Sequence, residues 1–106
     1  MEEVLHRFEE LIDKHFKVEH DIAFYERELN LQPKYLSKIA KKIYGIPPCQ
    51  MLIKKQISHS EDILLQTDKT IKEIAHEMNF EDPYYFSRLF KSKTGFSPSE
   101  YRKIHK

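Results

Sequence analysis

One stretch of this chain occurs twice, and that constrains the fold more than any other feature. Tyr35-Leu36-Ser37-Lys38-Ile39-Ala40-Lys41 matches Tyr85-Phe86-Ser87-Arg88-Leu89-Phe90-Lys91 at an offset of 50, and the match continues through Gly45/Gly95, Pro47/Ser97 and Pro48/Pro98. Upstream the offset falls to 49, pairing Ile22/Ile71, Tyr25/Ile74, Leu29/Met78, Asn30/Asn79 and Leu31/Phe80, so the second copy has one extra residue in its turn. Each copy reads as a helix, a tight turn and a second helix, with its apolar positions on one face. Asn30 and Asn79 fall at the turns, where a residue tolerant of left-handed φ is wanted.

The periodicity predicts an all-α chain of about seven helices, since no segment sustains apolar/polar alternation of period two. A helix over 2–16 carries Val4, Leu5, Phe8, Leu11, Ile12 and His15/Phe16 at helical spacing. Asp21 caps a second helix to about Leu29. Gln32 and Pro33 open a third, which runs to Tyr44 and stops at Gly45. Ile46-Pro47-Pro48 breaks the chain before a longer helix over 49–66, with Leu52, Ile53, Ile57, Ile63 and Leu64 as core positions. Asp68 or Thr70 caps the helix from Ile71 to Met78, Pro83 begins one that ends near Thr94-Gly95, and Ser97 to Glu100 has the spacing of a capping box for a last short helix. The expected division is a first helix-turn-helix unit over 1–48, a linker helix over 49–67 and a second unit over 68–106.

Charge is segregated along this frame. The formal net charge is only +1, yet residues 1–28 hold nine acids and four Lys/Arg, residues 29–60 six lysines and no acid, residues 61–82 seven acids and two lysines, and residues 83–106 six Lys/Arg and one acid. The basic segments contain the second helix of each repeat. In the first copy Leu36, Ile39 and Ile43 face inward, leaving Lys34, Ser37, Lys38 and Lys41 outward; in the second Phe86, Leu89 and Phe90 face inward, leaving Pro83, Tyr84, Ser87, Arg88 and Lys91 outward. Cations beside small hydroxyls are what a major-groove helix needs: Arg or Lys donates to guanine O6 and N7, Ser donates or accepts, and flanking lysines neutralise phosphate. A solvated lysine face would look the same in either copy alone; its recurrence in one register favours DNA.

The second repeat and its flanks, Ile71-Lys72-Glu73-Ile74-Ala75, Asn79-Phe80-Glu81-Asp82-Pro83-Tyr84-Tyr85-Phe86-Ser87-Arg88-Leu89-Phe90-Lys91 and Gly95-Phe96-Ser97-Pro98-Ser99-Glu100-Tyr101-Arg102, resemble the signature of the AraC/XylS family of transcription regulators. The first repeat and Leu64-Leu65-Gln66-Thr67 match more loosely, so the resemblance covers nearly the whole chain. It implies two homeodomain-like helix-turn-helix units joined by a linker helix. Their recognition helices, about 33–44 and 83–94, would enter successive major grooves roughly 34 Å apart. Carried over, the base-reading positions are Lys34, Ser37, Lys38, Lys41, Pro83, Tyr84, Ser87 and Arg88, with Arg88 the strongest candidate. Backbone amides near Thr70-Ile71 and Ser97-Ser99 would take phosphate. The chain departs from the family pattern at Glu26, where Ala is common and a carboxylate crowds the helix crossing unless it points outward. It departs also at Asn79, where Gly is common, and at Gln56 and Ser60, where Arg and Ala are common.

The implied partners are double-stranded promoter DNA, RNA polymerase and a sensor or dimerisation region elsewhere in a longer regulator, of which this is the C-terminal portion with Met1 at the cut. The piece alone is expected to be a monomer. Activation is the expected sense of regulation, although the residues themselves leave repression open. Other classes fit poorly. The histidines are scattered, Cys49 has no His at metal-ligand spacing, and no Gly-rich phosphate loop or nucleophile elbow occurs, so no enzyme, metal or cofactor is expected. A helical protein-interaction module anchored by Tyr84 and Tyr85 is the alternative; the resemblance instead places Tyr85 beside Phe86 and turns Tyr84 to the bases. RNA binding lacks its usual sheet aromatics and loops. One cysteine, no apolar run near ~18 residues and an acidic N-terminus argue for the cytoplasm.

Overall fold

Turn chemistry sets the frame of the molecule, whose computed structural model describes residues 2–106, Met1 lying outside them. Its elements are the seven helices α1 (Glu2–His15), α2 (Ile22–Glu28), α3 (Tyr35–Tyr44), α4 (Pro48–Gln66), α5 (Ile71–Glu77), α6 (Pro83–Thr94) and α7 (Pro98–His105), with no strand among the described residues. The chain forms two compact units that divide within α4, between Lys55 and Gln56. In each unit the scaffold helix ends the same way. Asn30 and Asn79 take left-handed φ of 57° and 62°. The next amides reach back five residues, Leu31 N–H to Glu26 C=O and Phe80 N–H to Ala75 C=O, both at 2.9 Å. This Schellman arrangement satisfies carbonyls that the helix end leaves open. α3 and α6 both stop on a left-handed glycine, Gly45 and Gly95, whose amides bond to Lys41 C=O and Lys91 C=O.

In the first unit α1 buries Leu5, Phe8 and Ile12, and Phe16 follows just beyond its end; Tyr25 and Leu29, then Leu36, Ile39 and Ala40, and Leu52 of α4 complete the core. The Phe8 and Tyr25 rings meet edge to face at 5.6 Å. The Tyr25 hydroxyl donates to Glu19 C=O at 2.8 Å. Burial, aided by the Glu19 charge, pushes its phenol up to about 12. A group raised in the folded state stabilises fully below its unfolded pKa and loses that contribution as pH rises through the folded one. About 2–3 kcal/mol should therefore fade between roughly pH 10 and 12. Tyr25→Phe should cost about 1 kcal/mol at neutral pH, for the lost hydrogen bond, but should flatten this alkaline limb in urea midpoints measured across that range. Parallel loss in both proteins would point to another group.

In the second unit Ile57, Ile63 and Leu64 of α4 are buried with Ile74, Ala75 and Met78, then Phe80, Phe86 and Phe90. Pro98 closes the core at the start of α7. Phe80, Phe86, Phe90 and Tyr101 form a continuous ring series, with centroids 5.2, 6.1 and 5.3 Å apart. Arg102 ties α7 to the end of α4: Nε donates to Leu64 C=O at 3.0 Å and Nη2 to Thr67 C=O at 3.2 Å. A cation there satisfies terminal carbonyls and complements the helix dipole.

Three expected core residues, Ile43, Ile53 and Leu89, are only half-buried. The buried stripe of α4 runs through Leu52, Gln56, Ser60 and Leu64, which leaves Ile53 on its edge. In α3 and α6 the stripe centres on Ala40 and Phe90, so Ile43 and Leu89 sit on its rim. Gln56 and Ser60 are themselves buried, and the Ser60 hydroxyl donates to Gln56 C=O at 2.8 Å. That back-bond within the helix lets Ser stand where Ala would pack without leaving a polar atom unpaired.

Candidate nucleic-acid interface

The two reading helices start differently. In the second unit Asp82 is the N-cap: its Oδ1 accepts the Tyr84 N–H at 2.9 Å, and Pro83 occupies the first turn. The first copy has Gln32 at that position, and Gln is not among the favoured N-caps. There the helix does not open at Pro33 as the sequence predicts. It begins at Tyr35, and the N-cap Lys34 is left-handed with φ 72° and makes no side-chain cap bond. That conformation costs a non-glycine residue about 1–2 kcal/mol. The Lys34 N–H, the counterpart of the Tyr84 N–H, is satisfied instead from α2: Glu26 Oε2 accepts it at 2.9 Å. Glu26 therefore does not crowd the helix crossing; it points out to the turn and takes over the capping. The repeat carried a signal for this, because the copy that lacks the Asp82 cap is the copy with Glu26 in place of Ala75.

The outer faces correspond position by position. Lys34, Lys38 and Lys41 are exposed and Ser37 half-buried in the first unit; Tyr84, Arg88 and Lys91 are exposed and Ser87 half-buried in the second. Residues at i, i+3, i+4 and i+7 share one helix face, so Tyr84, Ser87, Arg88 and Lys91 of α6, and Ser37, Lys38 and Lys41 of α3, each form a single surface backed by the buried stripe, whereas Lys34 precedes α3 and is placed by its left-handed turn. Among the described residues the ion pairs His6–Glu10, Lys55–Asp13, Lys69–Glu77 and Lys106–Asp68 use other side chains, leaving those of Lys34, Lys38, Lys41 and Arg88 without a carboxylate partner. Pro83 is half-buried in the first turn of α6. Tyr84 is 77% exposed, and Tyr85, 50% exposed, leans on Phe80 with ring centroids 6.1 Å apart rather than on Phe86.

Thr70 lies outside both reading helices, as the N-cap of α5. Its Oγ1 accepts the Glu73 N–H at 3.1 Å, and Glu73 Oε1 accepts the Thr70 N–H at 2.8 Å. Ser97 and Glu100 repeat the box on α7 at 3.2 and 2.9 Å. The backbone hydrogen bond from Thr70 or Ser97 holds each glutamate below the usual carboxylate range. Both boxes thus use the amides of Thr70 and Ser97 internally. The open donors of these starts lie one residue further in, at Ile71, Lys72 and Ser99, Pro98 having none.

Two helix-turn-helix units, each with a buried rear face and a cationic, hydroxyl-bearing front, define the chain as a helix-turn-helix DNA-binding protein. Residues 25–104 match the family model described as a helix-turn-helix domain. The chain belongs to that family in its AraC/XylS-type form, a family of transcription regulators and not of enzymes. It is 32% identical over 93 residues to the uncharacterized HTH-type transcriptional regulator YisR of Bacillus subtilis, covering 88% of this chain and 32% of that protein. Over 92 residues it is 36% identical to the arabinose operon regulatory protein of Salmonella typhimurium, covering 87% of this chain and 31% of that one. The chain thus spans about a third of the length of these curated relatives. The C-terminal domain of AraT, a response regulator from Geobacillus stearothermophilus, superimposes with a TM-score of 0.89 at 33% identity, covering 96% of this chain and 85% of that one. No helix is long and apolar enough to cross a membrane among the described residues.

Proposed function

We propose that α3 and α6 each enter a DNA major groove at a promoter and read it through Lys34, Ser37, Lys38 and Lys41 in the first unit and Pro83, Tyr84, Ser87 and Arg88 in the second. Lys91 holds phosphate. Thr70 shapes the start of α5, whose Ile71 and Lys72 amides meet the backbone. The functional division is a first unit over 1–48, a linker over 49–67 and a second unit over 68–106. One observation carries the reading: an unpaired cation and a hydroxyl recur in the same register on both reading helices. Longer relatives support a second part of the protein that senses or dimerises, with this piece a monomer by itself. The regulator acts in the cytoplasm as an activator beside RNA polymerase and needs no cofactor.

Selection from a pool of randomised duplexes tests this. The chain should enrich two blocks of preferred bases. Arg88→Ala should cost about 1–3 kcal/mol at one base of one block and relax preference there, while binding to random DNA changes little. Equal loss on selected and random DNA would rule Arg88 out as a base reader.

A further inference from the structure

The start of the first reading helix depends on a residue outside its reading face. We infer that Glu26 is the positioning residue for base reading by the first unit: from α2 its carboxylate holds Lys34 in the left-handed turn that sets where α3 begins. This rests on the DNA reading proposed above. Glu26 Oε2 takes the Lys34 amide at 2.9 Å, bridging scaffold helix and reading helix across the turn. The other left-handed residues come in matched pairs, Asn30 with Asn79 and Gly45 with Gly95, whereas Lys34 has no left-handed counterpart in the second unit. α3 also lacks both an acidic residue in its first turn and a side-chain cap at Lys34.

A non-glycine residue stays left-handed only where its surroundings impose it. Glu26 supplies the imposed bond, and it places a negative charge at the start of a helix that has none of its own, where the dipole favours one. The second unit needs no such residue, because Asp82 caps α6 locally and Ala75 occupies the position of Glu26. Without the carboxylate, Lys34 is free to relax to negative φ and α3 to begin at Pro33, as α6 begins at Pro83. Lys34 then joins the first helical turn, its side chain moves from the place the left-handed turn gives it, and the base contact it would make from there is lost.

The test applies the same selection to variants of this chain. The block relaxed by Arg88→Ala belongs to the second unit and the remaining block to the first. Glu26→Ala should flatten the first block about tenfold or more, and the second block, retained, reports a folded protein. Glu26→Gln, whose carbonyl oxygen accepts the same amide, should restore the first block; with a negative charge removed near phosphate it should bind random DNA about two- to fivefold tighter. If Glu26→Ala unfolds and loses both blocks, Glu26→Asp decides, since it is one methylene too short to reach Lys34: loss of the first block by Asp with retention by Gln supports the inference. Retention by Ala, or equal loss by Ala and Gln, or equal behaviour of Asp and Gln, overturns it. A wild-type chain that selects nothing overturns the DNA reading and this inference with it. Two wild-type blocks that ignore Glu26 overturn the inference alone.

Discussion

Raising the salt from about 50 to about 200 mM should weaken binding of this chain to random duplex DNA by about a hundred- to two-hundredfold. Each phosphate neutralised releases condensed counterion, and log K falls with log[salt] at a slope of about −0.9 per phosphate contact. Lys34, Lys38, Lys41, Arg88 and Lys91 are the exposed cations of the two reading faces. On random DNA, where no base is selected, the four lysines meet phosphate and Arg88 does not, so the slope is about −3.6 and a fourfold rise in salt gives the stated loss. The net charge of +1 does not contradict this, since the acids are concentrated in residues 1–28 and 61–82, which hold the scaffold helices and no reading helix. Fluorescence anisotropy across this salt range measures the slope directly. Lys38→Ala should reduce it by about one. A slope near zero would exclude phosphate contact and favour the protein-interaction alternative through Tyr84 and Tyr85, which has no counterions to release.

The helices and their turns are legible in the sequence because their signals are local. Asn30, Asn79, Gly45 and Gly95 mark positions that need left-handed backbone, and all four adopt it. Thr70 with Glu73, and Ser97 with Glu100, are spaced as reciprocal caps and form them. The buried stripe follows from apolar spacing, although its width does not, which is why Ile43, Ile53 and Leu89 fall at its edge. What the sequence leaves hidden depends on contacts across turns and between helices. The Glu26 carboxylate reaches an amide eight residues away, and no spacing rule for caps spans that interval. Tyr85 chooses Phe80 over the adjacent Phe86 because side chains next to each other in a helix point in different directions. Arg102 finds carbonyls 38 and 35 residues upstream, a pairing that only the tertiary fold creates.

Phe90→Ala should be the most damaging single change in the second unit, costing about 3–5 kcal/mol. The side chain is 0% exposed. Its ring lies 6.1 Å from that of Phe86 and edge-to-face with Tyr101 at 5.3 Å. Truncation removes a large buried surface and leaves a cavity that the helices fill only in part. A unit of about 50 residues has little stability to spare, so the loss is comparable to the whole. The functional consequence follows from the register of α6: Phe90 sits two residues beyond Arg88, and the packing that holds Phe90 is what orients the reading face. Urea unfolding should show a much lower midpoint, and the selection should lose the block that Arg88 specifies. The same change one step away, at the exposed Lys91, should leave stability within about 0.5 kcal/mol while lowering affinity for random DNA. If Phe90→Ala cost less than about 1 kcal/mol, the ring series would not be the foundation of α6, and the placement of Arg88 would need another support.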